Sequence, residues 1–412
     1  MSRSTFAPRD VSSARAFSRG WIGSHAGWDA VIVGARVGGA STALLLARAG
    51  LRVLVVDRAR RGSDTLSTHA LMRGGVLLLR RWDLLDRVVA TGAPPVRRVT
   101  FHYGAESMPI SLKPYGGVDA LYAPRRTVLD SLLVDAAEAA GAQFHFGLAA
   151  TGLITRGGRV VGVALRDRDG NAWTERAGLV VGADGRNSVV AARVAAPTIA
   201  AGTHAAAYAY GYWPAGGLDG YHWYYGDGLS AGVIPTNGGQ ACVFVAGPPG
   251  VLAAATRRRR LAAAQRSLLE RLDGRLADLA AAPPDGPVRI FRGLPARLRS
   301  AYGPGWALVG DAGWWKDPLS THGITDALRD AESLSAAVVA GAASERATGV
   351  ALAGYQSQRD RVALAMHPIV DRLASHGWDL AEARRLLLGL SSVMADEVDA
   401  LDDVDRAPAR TA

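Results

Sequence analysis

A run that is apolar on both faces, Trp28 to Val33, leads directly into Gly34-Ala35-Arg36-Val37-Gly38-Gly39, and this junction constrains the chain more than any other feature. Strands apolar on both faces belong in parallel sheets covered by helices. Gly38 to Ala49 then has helical spacing, and Arg52 to Val56 reads as a second strand that ends at Asp57. The three pieces make one β-α-β unit. In such a unit glycines let the backbone approach a pyrophosphate at the helix N-terminus, and an acid closing the second strand binds a ribose hydroxyl. Gly34 and Gly39 occupy two places of a G-x-G-x-x-G fingerprint, while Arg36 stands where the middle glycine belongs. A plain glycine turn would leave a similar trace. A guanidinium at that place would also be able to pair with phosphate directly.

Further along, Arg126 to Ala140 carries Leu129, Leu132, Leu133, Ala136 and Ala137 at helical spacing and stops at Gly141. Gln143 to Phe146 and Arg159 to Arg166 alternate as strands, and Leu179 to Val181 is a short apolar strand entering Gly182-Ala183-Asp184-Gly185. The segment 204–247 changes character, with glycine breaks and many tyrosines and tryptophans, as a mostly antiparallel sheet would. Residues 253–282 read as one helix up to Pro283-Pro284, Trp306 to Val309 as a buried strand, Thr325 to Ala340 as a helix and 355–400 as mostly helix.

Composition removes several classes of function. Of the basic residues only Lys113 and Lys316 are lysines, and the formal charge of +10 is spread along the chain as arginine. A nucleic-acid footprint would instead be a basic stripe interleaved with aromatics, so the charge points to a basic surface that favours an anionic small molecule. No stretch approaches the ~18 consecutive apolar residues of a membrane helix. Residues 1–27 lack the apolar core of a signal peptide and read as a mobile tail. The single Cys242 excludes an intramolecular disulfide and fits a reducing cytoplasm, and dispersed histidines leave no metal site in view.

Four motifs then occur in order: the glycine turn, Arg126 with Leu129-Asp130 and Leu133, Leu179 to Ser188 around Asp184-Gly185, and Leu308-Val309-Gly310-Asp311-Ala312. Over residues 28–400 the chain resembles the single-component FAD-dependent monooxygenases of the aromatic hydroxylase type, in the wider superfamily with geranylgeranyl reductases and flavin halogenases. The resemblance implies that Gly34 and Gly39 shape the pyrophosphate loop, Asp57 takes the adenosine ribose, Ala150 offers backbone to adenine, and Arg126 approaches the flavin. It implies that Asp184 and Gly185 serve flavin and nicotinamide, that Asp311 accepts from a ribityl hydroxyl, and that Pro318 sits beside the flavin ring. His322, Gly323, Ile324 and Thr325 match the loop whose amides face flavin N1 and the C2 carbonyl. The residues agree at this point, because Thr325 or a neighbour would cap the following helix and leave its positive end facing outward.

The implied activity is FAD-dependent oxidoreduction: NADPH or NADH reduces the flavin, and oxygen passes through a C4a-hydroperoxyflavin to an aromatic or polycyclic substrate. Alternatives on the same fold are an isoprenoid or polyene reductase, a halogenase, and a ligand-binding protein that has lost FAD through Arg36. Lys316, within Trp314-Trp315-Lys316, departs from the small residues usual after Gly-Asp-Ala and is either a solvent-facing charge or a point charge near flavin or substrate. His69 lies where the family's chain passes the flavin ring, as a structural or a catalytic histidine. The expected fold is α/β: a discontinuous Rossmann-type FAD domain (28–97, 121–195 and 288–345), an inserted antiparallel substrate domain (98–120 and 196–287) and a C-terminal helical segment (346–412). Tyr208, Tyr210, Tyr212, Trp213, Trp223 and Tyr225 are candidate walls for a flat, apolar substrate. The expected protein is a cytoplasmic monomer or homodimer without a membrane span.

Overall fold

The computed structural model describes residues 27–214, 217–257 and 260–406. Residues 1–26 of the segment read as a tail lie outside the described residues, as do 407–412. The chain opens with β1 (Trp28–Val33), α1 (Val37–Arg48) and β2 (Val53–Asp57), followed by α2 (Arg73–Arg81) and α3 (Leu85–Ala90). A hairpin, β3 (Arg98–Tyr103) and β4 (Glu106–Ser111), leaves this unit before α4 (Arg126–Ala139) and β5 (Gln143–Phe146) return to it. Next come β6 (Ala149–Arg156), β7 (Arg159–Arg166), β8 (Ala172–Gly182) and α5 (Val189–Arg193). After β9 (Thr198–Ala201), most of the second sheet follows: β10 (Ala207–Pro214), β11 (Tyr221–Gly226), β12 (Leu229–Thr236) and β13 (Gln240–Gly247). It is backed by α6 (Pro249–Thr256), α7 (Leu261–Leu272) and α8 (Gly274–Leu279). The chain ends through β14 (Arg289–Phe291), β15 (Arg297–Arg299), β16 (Tyr302–Gly303), β17 (Trp306–Leu308), β18 (Trp314–Trp315), α9 (Gly323–Ala340), α10 (Glu345–Ala374) and α11 (Leu380–Arg406).

The first sheet has the order β16-β17-β8-β1-β2-β5, and β17, β8, β1, β2 and β5 run parallel. Ala30 faces Val53 on one side and Leu179 on the other, so the apolar run at 28–33 is sandwiched as its pattern requires. The second sheet has the order β14-β10-β13-β12-β11-β3-β4 and is antiparallel except where β3 runs parallel to β11. β14 therefore joins the inserted sheet, while β9 pairs with β15 in a separate three-stranded ribbon with β18. Along β10 the side chains alternate: Tyr208, Tyr210 and Tyr212 face the first domain, whereas Ala207, Ala209 and Trp213 pack on the layer of α6 to α8. That layer is not the single helix read over 253–282. Asp273 is extended at φ −163° and caps α8 by accepting from the Arg275 amide, which breaks the helix there. Among the described residues no helix is long and apolar enough to cross a membrane.

Two glycines determine how α1 meets the sheet. Gly34 adopts φ +107°, and a Cβ on it would fall 2.4 Å from the Ala183 carbonyl oxygen. A Cβ on Gly39 would fall 1.8 Å from the Gly34 carbonyl oxygen, a contact that nothing but hydrogen can occupy. Gly354, within α10, has nothing within 4 Å. Gly39→Ala should lower unfolding free energy by about 3 kcal/mol or more through overpacking against backbone, whereas Gly354→Ala should raise it by about 0.5–1 kcal/mol. Chemical unfolding of the three proteins checks this; equal midpoints for Gly39→Ala and the parent would contradict it.

Candidate active site

A cavity of about 580 Å³ opens where β1, β2 and β8 end, at the crevice where sheets of this type bind ligands. Gly34, Asp57 and Ala150 line one end. The Asp57 carboxylate accepts from the amides of Ala35 at 2.8 Å and Ala59 at 2.7 Å, which straps the glycine turn to the end of β2. Arg36 is the N-cap residue of α1 and gives no side-chain cap, so the first amides of the helix remain unspent. Its guanidinium has other partners: Asp130 at 3.1 Å, the Ser63 carbonyl at 3.1 Å and the Asp64 carbonyl at 3.2 Å. Arg126 holds the same carboxylate at 3.0 and 3.1 Å. Arg36 thus lines the cavity and at the same time acts as a clamp, tying the 63–64 loop to α4 through Asp130.

In the middle of the cavity Asp184 accepts from the Val189 amide at 2.6 Å while its other oxygen is buried without a partner, and burial pushes its carboxyl up. Gly185 follows at φ +77°. Asp311 sits on the turn after β17, where the Gly310 amide donates to Asp330 at 2.9 Å and anchors the turn to α9. The Asp311 carboxylate is half-buried in the cavity and has no hydrogen bond among the described residues. Burial pushes its carboxyl up, and Lys316 and Arg126 oppose that shift. An acceptor left this way fits a ligand hydroxyl.

At the far end α9 begins at Gly323, with His322 at its N-cap and no side-chain cap. Gly323 and Ile324 line the cavity, so the unspent amides and positive dipole end of an 18-residue helix face it. Thr325 is neither the cap nor a wall; it is fully buried against Gly74 and Gly75 of α2. Behind the helix start lies a buried ion network. His322 meets Glu397 at 2.5 Å, Glu397 meets Arg329 at 2.5 Å, Arg329 meets Asp326 at 2.8 Å, and Asp326 pairs with Lys316. The ligand atoms of His322, Asp326 and Glu397 lie within 4.8 Å of one another, a metal-like spacing, but Lys316 and Arg329 already neutralise those carboxylates. Lys316 is therefore no solvent charge. It is buried, lines the cavity and holds its ammonium 3.7 Å from the Trp314 ring centre, and burial together with Arg329 pushes its pKa down. Glu397 comes from α11 and was not singled out in the sequence, since an acid 75 residues from His322 leaves no local signal.

The roof comes from the second sheet. Of the six aromatics considered as walls, Tyr208 and Tyr210 line the cavity, joined by Phe291 and Trp315. Trp213 faces the other side of its strand, Trp223 and Tyr225 lie in the core, and Tyr212 stands one layer back. The Tyr210 hydroxyl accepts from the Ser67 amide at 3.2 Å, and the Tyr208 hydroxyl donates to Asp317. Asp317 also caps the turn carrying Pro318, which lines the cavity, and burial pushes its carboxyl up to about 6. His69 has φ +65°, is buried and hydrogen-bonds the Tyr212 hydroxyl through Nε2. Burial, then Arg126 and Arg125, push its imidazole down to about 3, so it is neutral across the physiological range.

A family model described as an FAD binding domain matches residues 28–368. The probable electron transfer flavoprotein-quinone oxidoreductase YdiS of Escherichia coli (strain K12) is 34% identical over 171 residues, which are 40% of this chain and 38% of the relative. Monooxygenase cfoF of Aspergillus candidus is 33% identical over 187 residues, 40% of this chain and 44% of the relative. The chain thus matches about two-fifths of the length of these curated relatives. Among solved structures, PqsL, a probable FAD-dependent monooxygenase from Pseudomonas aeruginosa, superposes with TM-score 0.75 at 23% identity, covering 87% of this chain and 99% of PqsL. It has been solved in complex with 2-aminobenzoylacetate.

His69 generates a pH prediction. Its folded pKa lies below that of an exposed histidine, so between about 6.5 and 3 the unfolded chain binds more protons and stability falls as pH falls. From pH 7 to pH 5 the parent should lose about 2 kcal/mol more unfolding free energy than His69→Gln. Urea unfolding at the two pH values checks it, and parallel losses would contradict it.

Proposed function

The chain belongs to the FAD-binding domain family, matched over residues 28–368, and on that premise we propose that it is an NAD(P)H-dependent monooxygenase of an aromatic or polycyclic small molecule. The observation that carries this reading is one continuous cavity joining the glycine turn, the unpartnered Asp311 and the start of α9 to an aromatic wall of Tyr208, Tyr210, Phe291 and Trp315. The residues fit FAD. The backbone of Gly34 to Val37 and the open start of α1 would hold the pyrophosphate, Asp57 the adenosine ribose, and the backbone near Ala150 the adenine. Asp311 would accept from the ribityl chain, the Gly323 and Ile324 amides would face the pyrimidine edge of the ring, and Pro318 would lie beside it. Arg126, Asp184 and Gly185 would border the middle of the cofactor.

When bound, the flavin supplies two-electron redox chemistry and reactivity toward molecular oxygen, with a nicotinamide as transient reductant. The protein's residues set the conditions. The start of α9 favours negative charge on the pyrimidine edge without a mobile counter-ion. Lys316 adds a buried positive charge behind that helix start, held by Asp326. Tyr208, Tyr210 and Phe291 exclude water from the reacting face and align a flat substrate by ring contacts. His69, kept neutral and hydrogen-bonded to Tyr212, holds the 65–69 loop in place. The aromatic acid bound in the PqsL complex, 2-aminobenzoylacetate, supports the aromatic class for this cavity.

Asp311→Ala should weaken FAD binding about tenfold to a hundredfold, the ~1–3 kcal/mol of a buried hydrogen bond lost. Asp227→Ala, at a surface pair with Arg271, should leave it unchanged. Flavin retained after gel filtration checks the pair, and equal retention would remove Asp311 from the site. The activity itself is tested with the FAD-loaded protein, NADPH and a panel of hydroxyarenes under air. Oxygen uptake and NADPH oxidation should rise at least about tenfold with a true substrate, with one hydroxyl gained in the product. NADPH oxidation that passes electrons to a quinone or polyene and never consumes oxygen would contradict monooxygenation.

A further inference from the structure

Five cationic side chains line the cavity: Arg36, Arg58, Arg126, Arg186 and Lys316. Three have carboxylate partners, since Arg36 and Arg126 share Asp130 and Lys316 is paired with Asp326. Arg58 follows Asp57, at the end opposite the aromatic wall. Arg186, on the loop after β8, donates no hydrogen bond and meets no carboxylate within ion-pair distance among the described residues. It is held by rings alone: its guanidinium carbon lies 5.2 Å from the Phe291 ring centre and 5.5 Å from that of Trp315. Those two rings meet edge to face at 5.6 Å, and the Trp315 indole N–H donates to the Leu294 carbonyl at 3.0 Å, so the platform is rigid. Phe291 belongs to the inserted sheet and Trp315 to the β18 ribbon, and both line the cavity.

A guanidinium stacked on aromatic faces keeps its in-plane donors available, five N–H groups arranged to match a carboxylate. We propose that Arg186 is the specificity-determining residue of this cavity, receiving a carboxylate carried by the aromatic substrate. The inference rests on the aromatic-substrate reading above and deepens it. The geometry matches such a molecule: its ring would lie along Phe291 and Tyr208 while its acid meets the fork held over the same corner. Arg186 is close enough to Asp311, at the cofactor side, to oppose the rise of that carboxyl, so its charge is felt inside the cavity. Phosphates of the cofactor or of the nicotinamide are the other sources of negative charge for the same donors.

The test uses the FAD-loaded protein, with 2-naphthoate and its neutral isostere 2-naphthamide as probes and the shift in the flavin visible spectrum as readout. The parent should bind naphthoate at least about tenfold tighter than naphthamide, the range of a charge-assisted pair. In Arg186→Gln that preference should fall to about twofold or less, with naphthamide affinity and flavin content held within about twofold. Arg186→Lys should keep a reduced preference. A preference unchanged in Arg186→Gln would overturn the proposal, as would a parent that binds both probes equally. Loss of flavin from Arg186→Gln would assign the cation to the cofactor, and a raised KM for NADPH with naphthoate binding intact would assign it to the nicotinamide; either overturns it. If the parent binds neither probe, the aromatic-substrate reading falls and this inference with it.

Discussion

The carbonyl of Gly34 sits against the Cα of Gly39 so closely that no side chain fits between them, and the cofactor half of the molecule is arranged around that contact. It brings α1 down onto the turn with its first amides open. Asp57 then fixes the turn from β2 through the Ala35 amide. Because neither constraint uses the side chain at position 36, that side chain is not asked to hold the turn. That is why an arginine is tolerated where a glycine is usual. It spends its charge on Asp130 and two loop carbonyls and stiffens the 63–64 segment, which leads to His69 at the cavity wall.

The opposite end of the cavity depends on buried charge. Lys316, Asp326, Arg329 and Glu397 are nearly inaccessible, and taking such groups from water costs several kcal/mol per ion unless each is paired. Here the pairing is closed by Glu397 from α11, so the last long helix completes the floor beneath the start of α9. An apolar floor would be as stable or more so. What the network adds is a fixed field at a helix N-terminus and a defined seat for His322, the residue from which that helix starts.

Much of this was legible in order along the chain. The run Trp28–Val33, the glycine turn and Asp57 announced the parallel sheet, because strands buried on both faces and helix-start glycines are local signals. Asp311 and the amides near Gly323 were singled out through the family resemblance, and the helix start at that loop was also readable from the residues that begin it. What could not be read was pairing across distance: Asp130 looks like any polar residue of α4, and Glu397 like any acid of an exposed helix, until folding places them under Arg36 and His322. The aromatic segment misled for another reason. Alternation shows that Tyr208 and Trp213 point to opposite faces, but it does not say which face covers the cavity and which receives α6 to α8. The break at Asp273-Gly274 was visible in the residues themselves, since an N-capping acid followed by glycine interrupts a helix; the even leucine spacing on either side hid it.

The central claim is that one cavity holds a whole dinucleotide, with the Gly34 turn and Asp57 engaging its adenosine half while Asp311 and α9 engage its flavin half. Calorimetric titration of the flavin-free protein with FAD and, separately, with FMN tests it most directly. The account predicts one FAD per chain and FMN binding weaker by at least about a hundredfold, a loss of ~2.7 kcal/mol from the pyrophosphate and ribose contacts. Equal affinities for the two flavins, or FAD binding unchanged by Asp57→Ala, would contradict it.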